Sequence, residues 1–201
     1  MSKISFEGIQ KLVKQKNVYM VLGNGPNSQF RNVQTISEIL DGILVNIPLK
    51  SCFLHFGDFA DEENPDIGLV FKLIKQKRQD LQILMIQISE AKTWGVPDFV
   101  SYVYWHEDFS KIYKWGGLDD EQIPCSNTKK WLELHAKQPI TKVFVFGCGT
   151  STIIDEIMLL KRHNIGFDYF PVERRYAGDG KTLIKSSDSI DDKLGPYYGC
   201  L

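Results

Sequence analysis

Short, almost uninterrupted apolar runs alternate with helix-period segments along most of this chain, and that alternation constrains the fold more than any other feature. The runs occupy 18–22, 52–56, 83–88, 99–104, 143–146 and 167–172. A strand that is apolar on both sides belongs in a sheet covered on both faces, which is the situation of parallel strands joined by helical crossovers. Between the runs, Val33, Ile36, Ile39, Leu40, Ile43 and Leu44 recur at helical spacing, as do Ile67, Val70, Phe71 and Ile74, and Ile153, Ile154, Ile157, Met158 and Leu160. Asn64-Pro65-Asp66 reads as a helix start, and His163-Asn164-Ile165-Gly166 as a helix end. Trp94-Gly95-Val96-Pro97 reads as a turn. Right-handed crossovers leave few topologies. The expected fold class is therefore α/β: a three-layer, Rossmann-like, doubly wound and mostly parallel sheet of five or six strands.

One domain covering 1–201 is expected. The stretch 106–124 is polar and contains glycine, so it reads as a hairpin or long loop. The glycine- and serine-rich segment 177–201 reads as a C-terminal tail or flap. With 43% hydrophobic residues the chain can bury a proper core without staples. A formal net charge of -1 gives no long-range attraction to nucleic acid or anionic lipid, so neither partner is expected. The opening residues lack the pattern of a secretory signal, and no run approaches the length of a membrane span. Cys52, Cys125, Cys148 and Cys200 form no C-x-x-C pair, and no histidines stand at ligand spacing. Free thiols in a reducing compartment, a cytoplasmic location, no metal and no cofactor are the corresponding expectations. Self-association is expected only by analogy with such folds.

In open parallel sheets, ligands bind beyond the carboxyl ends of the strands. Two loops there are rich in glycine. Gly23-Asn24-Gly25-Pro26-Asn27-Ser28 follows the first run, and Gly147-Cys148-Gly149-Thr150-Ser151-Thr152 follows the fifth. Glycine lets backbone approach a ligand closely, and the helix that follows presents free amides at a positive dipole end. Gly23, Asn24, Gly25, Gly147, Gly149, Thr150 and Ser151 are thus candidates to hold a phosphate. The plainer alternative is that the glycines only make tight turns and a hydroxyl only caps a helix. Neither loop is G-x-x-x-x-G-K-[ST], and Ser28 and Thr152 occupy the third glycine's place in G-x-G-x-x-G. A triphosphatase loop and a standard dehydrogenase fingerprint are both disfavoured.

Asp58 follows the second run closely and is placed to accept ribose hydroxyls or to act as a base. Asp61, Glu62 and Glu63 read as solvated. Glu173-Arg174-Arg175 follows the last run: Arg174 and Arg175 can clamp a phosphate, or be surface charges relieved by Glu173. Cys148 sits at a helix start but has no histidine paired with it in sequence. His106 in its polar surroundings reads as solvated more readily than as an acid–base group.

The order of these loops resembles the SLOG superfamily of Rossmann-like proteins, which includes the lysine-decarboxylase-like LOG enzymes and nucleotide-sensing domains. Gly23-Asn24-Gly25 and Gly147-Cys148-Gly149-Thr150 carry the resemblance. It implies a nucleotide or nucleotide-derived ligand at the strand ends. LOG enzymes release the base from nucleoside 5′-monophosphates and carry P-G-G-x-G-T-x-x-E. Here Phe146 stands in the proline's place and Ile153 where the glutamate would be. Asp155 and Glu156 are further along, and each helical position turns a side chain by about 100°. The family's catalytic glutamate therefore does not transfer.

Three expectations follow. The first is binding of a phosphate-bearing nucleotide or nucleotide-derived small molecule. The second is an N-glycosidase or ribosyl-transferring hydrolase using Asp58 or Glu173 as nucleophile or stabiliser of an oxocarbenium-like state. The third is a non-catalytic interaction protein that uses the aromatic stretch from Tyr102 to Trp115 as its contact surface.

Overall fold

The computed structural model describes residues 2–23, 28–30, 33–56, 67–88, 96–106, 126–146, 151–170, 173–176 and 183–184. In chain order these give β1 (Ser2–Lys3), α1 (Phe6–Val13), β2 (Val18–Gly23), β3 (Ser28–Phe30), α2 (Val33–Leu44), β4 (Cys52–Phe56), α3 (Ile67–Lys77) and β5 (Gln82–Ile88). They continue with β6 (Tyr102–His106), α4 (Ser126–Lys137), β7 (Ile140–Phe146), α5 (Ser151–Arg162), β8 (Phe167–Phe170), β9 (Glu173–Tyr176) and β10 (Leu183–Ile184).

The main sheet has seven strands in the order β1-β6-β5-β4-β2-β7-β8. Every pairing in it is parallel. The doubly wound α/β expectation holds, with one strand more than anticipated. Each of the six apolar runs contributes a strand, and the seventh, β1, is a two-residue edge strand with no apolar run to announce it. The fourth run is shifted: β6 starts at Tyr102, because Phe99 belongs to a turn in which the Val100 amide donates to the Pro97 carbonyl at 3.1 Å.

Helices cover both faces. Alternate residues of β2 serve different cores. Val18, Met20 and Leu22 pack with Ile9 and Val13 of α1, Trp131 and Leu134 of α4, and Ile157 and Leu160 of α5. Tyr19 and Val21 pack with Ile36 and Leu40 of α2 and with Val70, Phe71 and Ile74 of α3. On that second face Tyr19 stacks on Phe53 at 5.4 Å and on Phe144 at 5.9 Å, so neighbouring strands are locked by aromatic rings. Each fully buried side chain of this kind contributes about 1.5–3 kcal/mol. The predicted stripe of α5 needs one correction: Met158 is 39% exposed, and Leu159 is in the core instead.

Local chemistry sets the helix ends. Ser5 caps α1, its hydroxyl accepting the Gly8 amide at 3.0 Å. After α5, Asn164 takes a left-handed conformation (φ 53°), and the Ile165 amide reaches back to the Leu160 carbonyl at 2.8 Å. Arg78, just past α3, donates to the carbonyls of Leu44, the last residue of α2, and of Ile47 beyond it, and to the Asp80 carboxylate. That guanidinium holds the Asp80 carboxyl well below the usual carboxylate range.

A second, three-stranded antiparallel sheet has the order β10-β9-β3. It corrects one expectation and adds a strand to the C-terminal segment. Glu173, Arg174 and Arg175 are strand residues rather than a loop after the final strand, because β3 supplies their hydrogen-bond partners. In the C-terminal segment, Leu183–Ile184 pairs with β9 and so gives this segment one ordered strand. The remainder of 177–201, and the stretch 107–125, lie outside the described residues.

Candidate functional site

The two strands that carry the glycine loops are neighbours. β2 and β7 pair in parallel, and their last residues, Gly23 and Phe146, are register partners. The connections that leave them diverge: the one from Gly23 leads to α2, and the one from Phe146 leads to α5, on the opposite face. From β2 the chain winds outward through β4 and β5 to β6, then returns to the far side of β2 as β7 and β8. The point between β2 and β7 is therefore the topological switch point of the sheet, where diverging crossovers leave a crevice beyond the carboxyl ends. Helices α2, α3 and α5 all begin at this edge, so their positive ends collect there.

The floor of that edge is apolar and tight. Phe146 is fully buried and stacks on Phe170, its register partner in β8, at 5.0 Å. A Cβ placed on Gly23 would come within 2.6 Å of Ile67 Cδ1 and 3.0 Å of the Phe146 carbonyl oxygen. Packing against α3 and β7 therefore accounts for the glycine at this position, whatever lies above it.

The small sheet follows in the chain from the same edge. β3 continues from β2, and β9 continues from β8, so the strands on either side of β7 send their continuations to pair with each other. Ser28 is in register with Arg175, Gln29 with Arg174, and Phe30 with Glu173. Segments about 150 positions apart in sequence, one from the first glycine loop and one carrying the arginines, meet here. Consecutive strand positions belong to opposite faces, so positions 174 and 175 do not share one. That argues against a single phosphate clamped by both.

Of the remaining candidates, Ser151 is the first residue of α5. Asn24, Gly25, Asp58, Gly147, Cys148, Gly149 and Thr150 lie outside the described residues. β4 neighbours β2, so the segment carrying Asp58 starts one strand away from Gly23. His55, within β4, is 4% exposed and sits edge-on to Phe71 at 5.2 Å, which makes it part of the second core. Of the aromatic stretch, Tyr102 and Tyr104 lie in β6, half-buried against the core, and Tyr104 meets Phe6 at 5.3 Å. The rest of that stretch, 107–115, is outside the described residues.

One polar pair escapes a reading of the sequence by motif. Thr128, in the first turn of α4, donates to the Glu156 carboxylate of α5 at 2.9 Å. Their exposures are 0% and 4%. The signal was available: Ile153, Glu156, Ile157 and Leu160 fall at i, i+3, i+4 and i+7, which puts a carboxylate in the buried stripe of α5. Both helices begin at the carboxyl edge of the sheet, and the pair ties the start of one to the second turn of the other.

Fold and site together define a doubly wound α/β protein with a glycine-bearing switch point, and a small antiparallel sheet follows in the chain from the strands on either side of β7. Compared with known proteins, the chain matches no family model, no curated protein and no solved structure. Among the described residues there is no cluster of candidate metal ligands, and no helix is long and apolar enough to cross a membrane.

Proposed function

We propose that this protein binds a phosphate-bearing nucleotide or nucleotide-derived small molecule in the crevice beyond β2 and β7. The observation that carries the reading is the Gly23–Phe146 register with divergent exits, because it starts both glycine loops side by side. Asn24, Gly25, Gly147, Gly149, Thr150 and Ser151 are assigned to the phosphate, and Asp58 to a ribose hydroxyl. The Ser28–Arg175 register supports the addition of one basic residue to the first loop. The resemblance to the SLOG superfamily points to the same ligand class.

Isothermal titration against nucleoside mono- and diphosphates and NAD-derived compounds tests the assignment. The expected result is a dissociation constant below about 1 mM, which corresponds to roughly -4 kcal/mol, for at least one of them. Failure of the whole panel to bind in that range overturns it. The hydrolytic version adds a further requirement: release of base from a nucleoside monophosphate, abolished by Asp58→Asn. Glu173 does not share its place in that version, since as register partner of Phe30 it belongs to the small sheet rather than to a loop after β8.

A further inference from the structure

Gly42 lies inside α2, not at the left-handed position past a helix end where glycine serves as a cap. Glycine is the poorest helix former after proline, because it has the most backbone freedom to lose. Nothing within the chain requires it here: a Cβ at Gly42 would meet no atom within 4 Å, whereas one at Gly23 would collide with α3. Gly42 is also exposed, so neither a turn nor internal packing accounts for it.

The surface around Gly42 is apolar where a helix end is normally polar. Val45, just past α2, and Leu49 are 78% and 77% exposed. Scattered singly, such residues need no explanation. These two belong with the glycine: Thr35, Glu38, Gly42 and Val45 follow one another at spacings of three, four and three, the period of a helix-packing seam, and all four are exposed. Ile36, Leu40 and Leu44 take the opposite side of the helix into the core. Charge divides along the seam. The exposed charges of α2 before Gly42 are Glu38 and Asp41, and the one that follows Leu49 is Lys50. Asp41 is committed to Lys77 of α3 at 2.7 Å, which leaves a carboxylate at one end of the seam and an ammonium at the other. A surface of that kind complements a second copy of itself turned end for end, and repels one laid parallel.

We infer that the outer seam of α2 pairs antiparallel with the same seam of a second copy of the chain, about a two-fold axis between Gly42 and Val45. Val45 of each copy then lies over Gly42 of the other, whose missing side chain admits it. Glu38 of each faces the Leu49–Lys50 end of the other. The contact is small, so the dimer is weak and transient.

Sedimentation equilibrium of the full chain tests this. A monomer–dimer equilibrium is expected with a dissociation constant of about 100 µM. Gly42→Ala should weaken the dimer by about tenfold while raising the thermal midpoint of the dilute monomer by about 2–4 °C, because alanine restores helix propensity at an open position. A Val45→Gln, Leu49→Gln variant should not associate. Glu38→Lys and Lys50→Glu should each weaken the dimer, and the two reversals together should restore it, which a merely structural role for either residue would not produce. The inference is overturned if the chain stays monomeric at about 1 mM, a concentration well above that dissociation constant. It is equally overturned if a dimer forms that Gly42→Ala and the Val45, Leu49 variant leave intact, or if the single reversals change nothing or the double reversal recovers nothing.

Discussion

Thr128 and Glu156 join α4 to α5 through a hydroxyl–carboxylate hydrogen bond of 2.9 Å, both residues being shielded from water. A buried carboxylate that loses a donor bears a desolvation penalty, so the pair is worth more than a surface contact. Thr128→Val keeps the shape and removes the hydroxyl. It is expected to destabilise the protein by about 1–3 kcal/mol in urea unfolding. Thr128→Ser keeps the donor and should cost roughly 1 kcal/mol or less, the value of one buried methyl group. Equal losses in the two variants would mean that packing, not the hydrogen bond, matters at this position.

Gly23 offers a second discriminating substitution. Alanine there meets the Ile67 side chain at 2.6 Å and the Phe146 carbonyl at 3.0 Å, and Ile67 is 1% exposed, so relief requires Ile67 to repack within the core or the backbone to shift. Overpacking of this kind costs about 1–3 kcal/mol. The expected result of Gly23→Ala is a lower unfolding midpoint with the ligand absent. A variant as stable as the parent would free Gly23 for a purely functional explanation.

The six runs were legible because parallel strands between two helical layers must be apolar on both sides, and such runs stand out from their surroundings. Lys3, Gln29 and Arg174 lack that signature. They belong to strands of two to four residues at a sheet edge or in the small sheet, whose existence depends on a partner distant in sequence. α1 and α4 were not anticipated either. In α4 only Thr128, Trp131 and Leu134 are buried among the residues whose side chains are described, too sparse a stripe to outweigh Lys129, Lys130, Glu133 and Lys137. The site was legible as two loops, and their adjacency came from strand order, which no local pattern encodes.

His135 gives the fold a pH dependence. Its Nδ1 accepts the Ile140 amide at 2.9 Å and so fastens the turn from α4 into β7. Burial pushes the imidazole below its ordinary value of 6.5, and the charge on His163 depresses it further. The folded state then binds fewer protons than the unfolded state between the depressed value and 6.5. Stability is accordingly full above 6.5 and is lost as pH falls through the lowered value. Thermal unfolding compared at about pH 7.5 and about pH 5.5 should show a drop that shrinks in His135→Gln, where the acceptor cannot titrate. An identical drop in the variant would assign the effect to other groups.

The small sheet makes a prediction about the arginines that sequence adjacency hides. Positions 174 and 175 are consecutive on β9 and belong to opposite faces. Position 175 is the register partner of Ser28, the last residue of the first glycine loop, whereas position 174 is opposite Gln29. If a phosphate is held at that loop, one arginine serves it and the other does not. Arg175→Gln should weaken nucleotide binding by about tenfold, the loss of one charge-assisted contact, and should reduce its salt dependence. Arg174→Gln should leave affinity within about twofold of the parent, since a charge that makes no contact with the ligand contributes little. Titration of the two variants side by side decides the matter. Equal losses would place the ligand at the edge of the small sheet rather than on the Ser28 face, and losses in Arg174→Gln alone would reverse the assignment of faces.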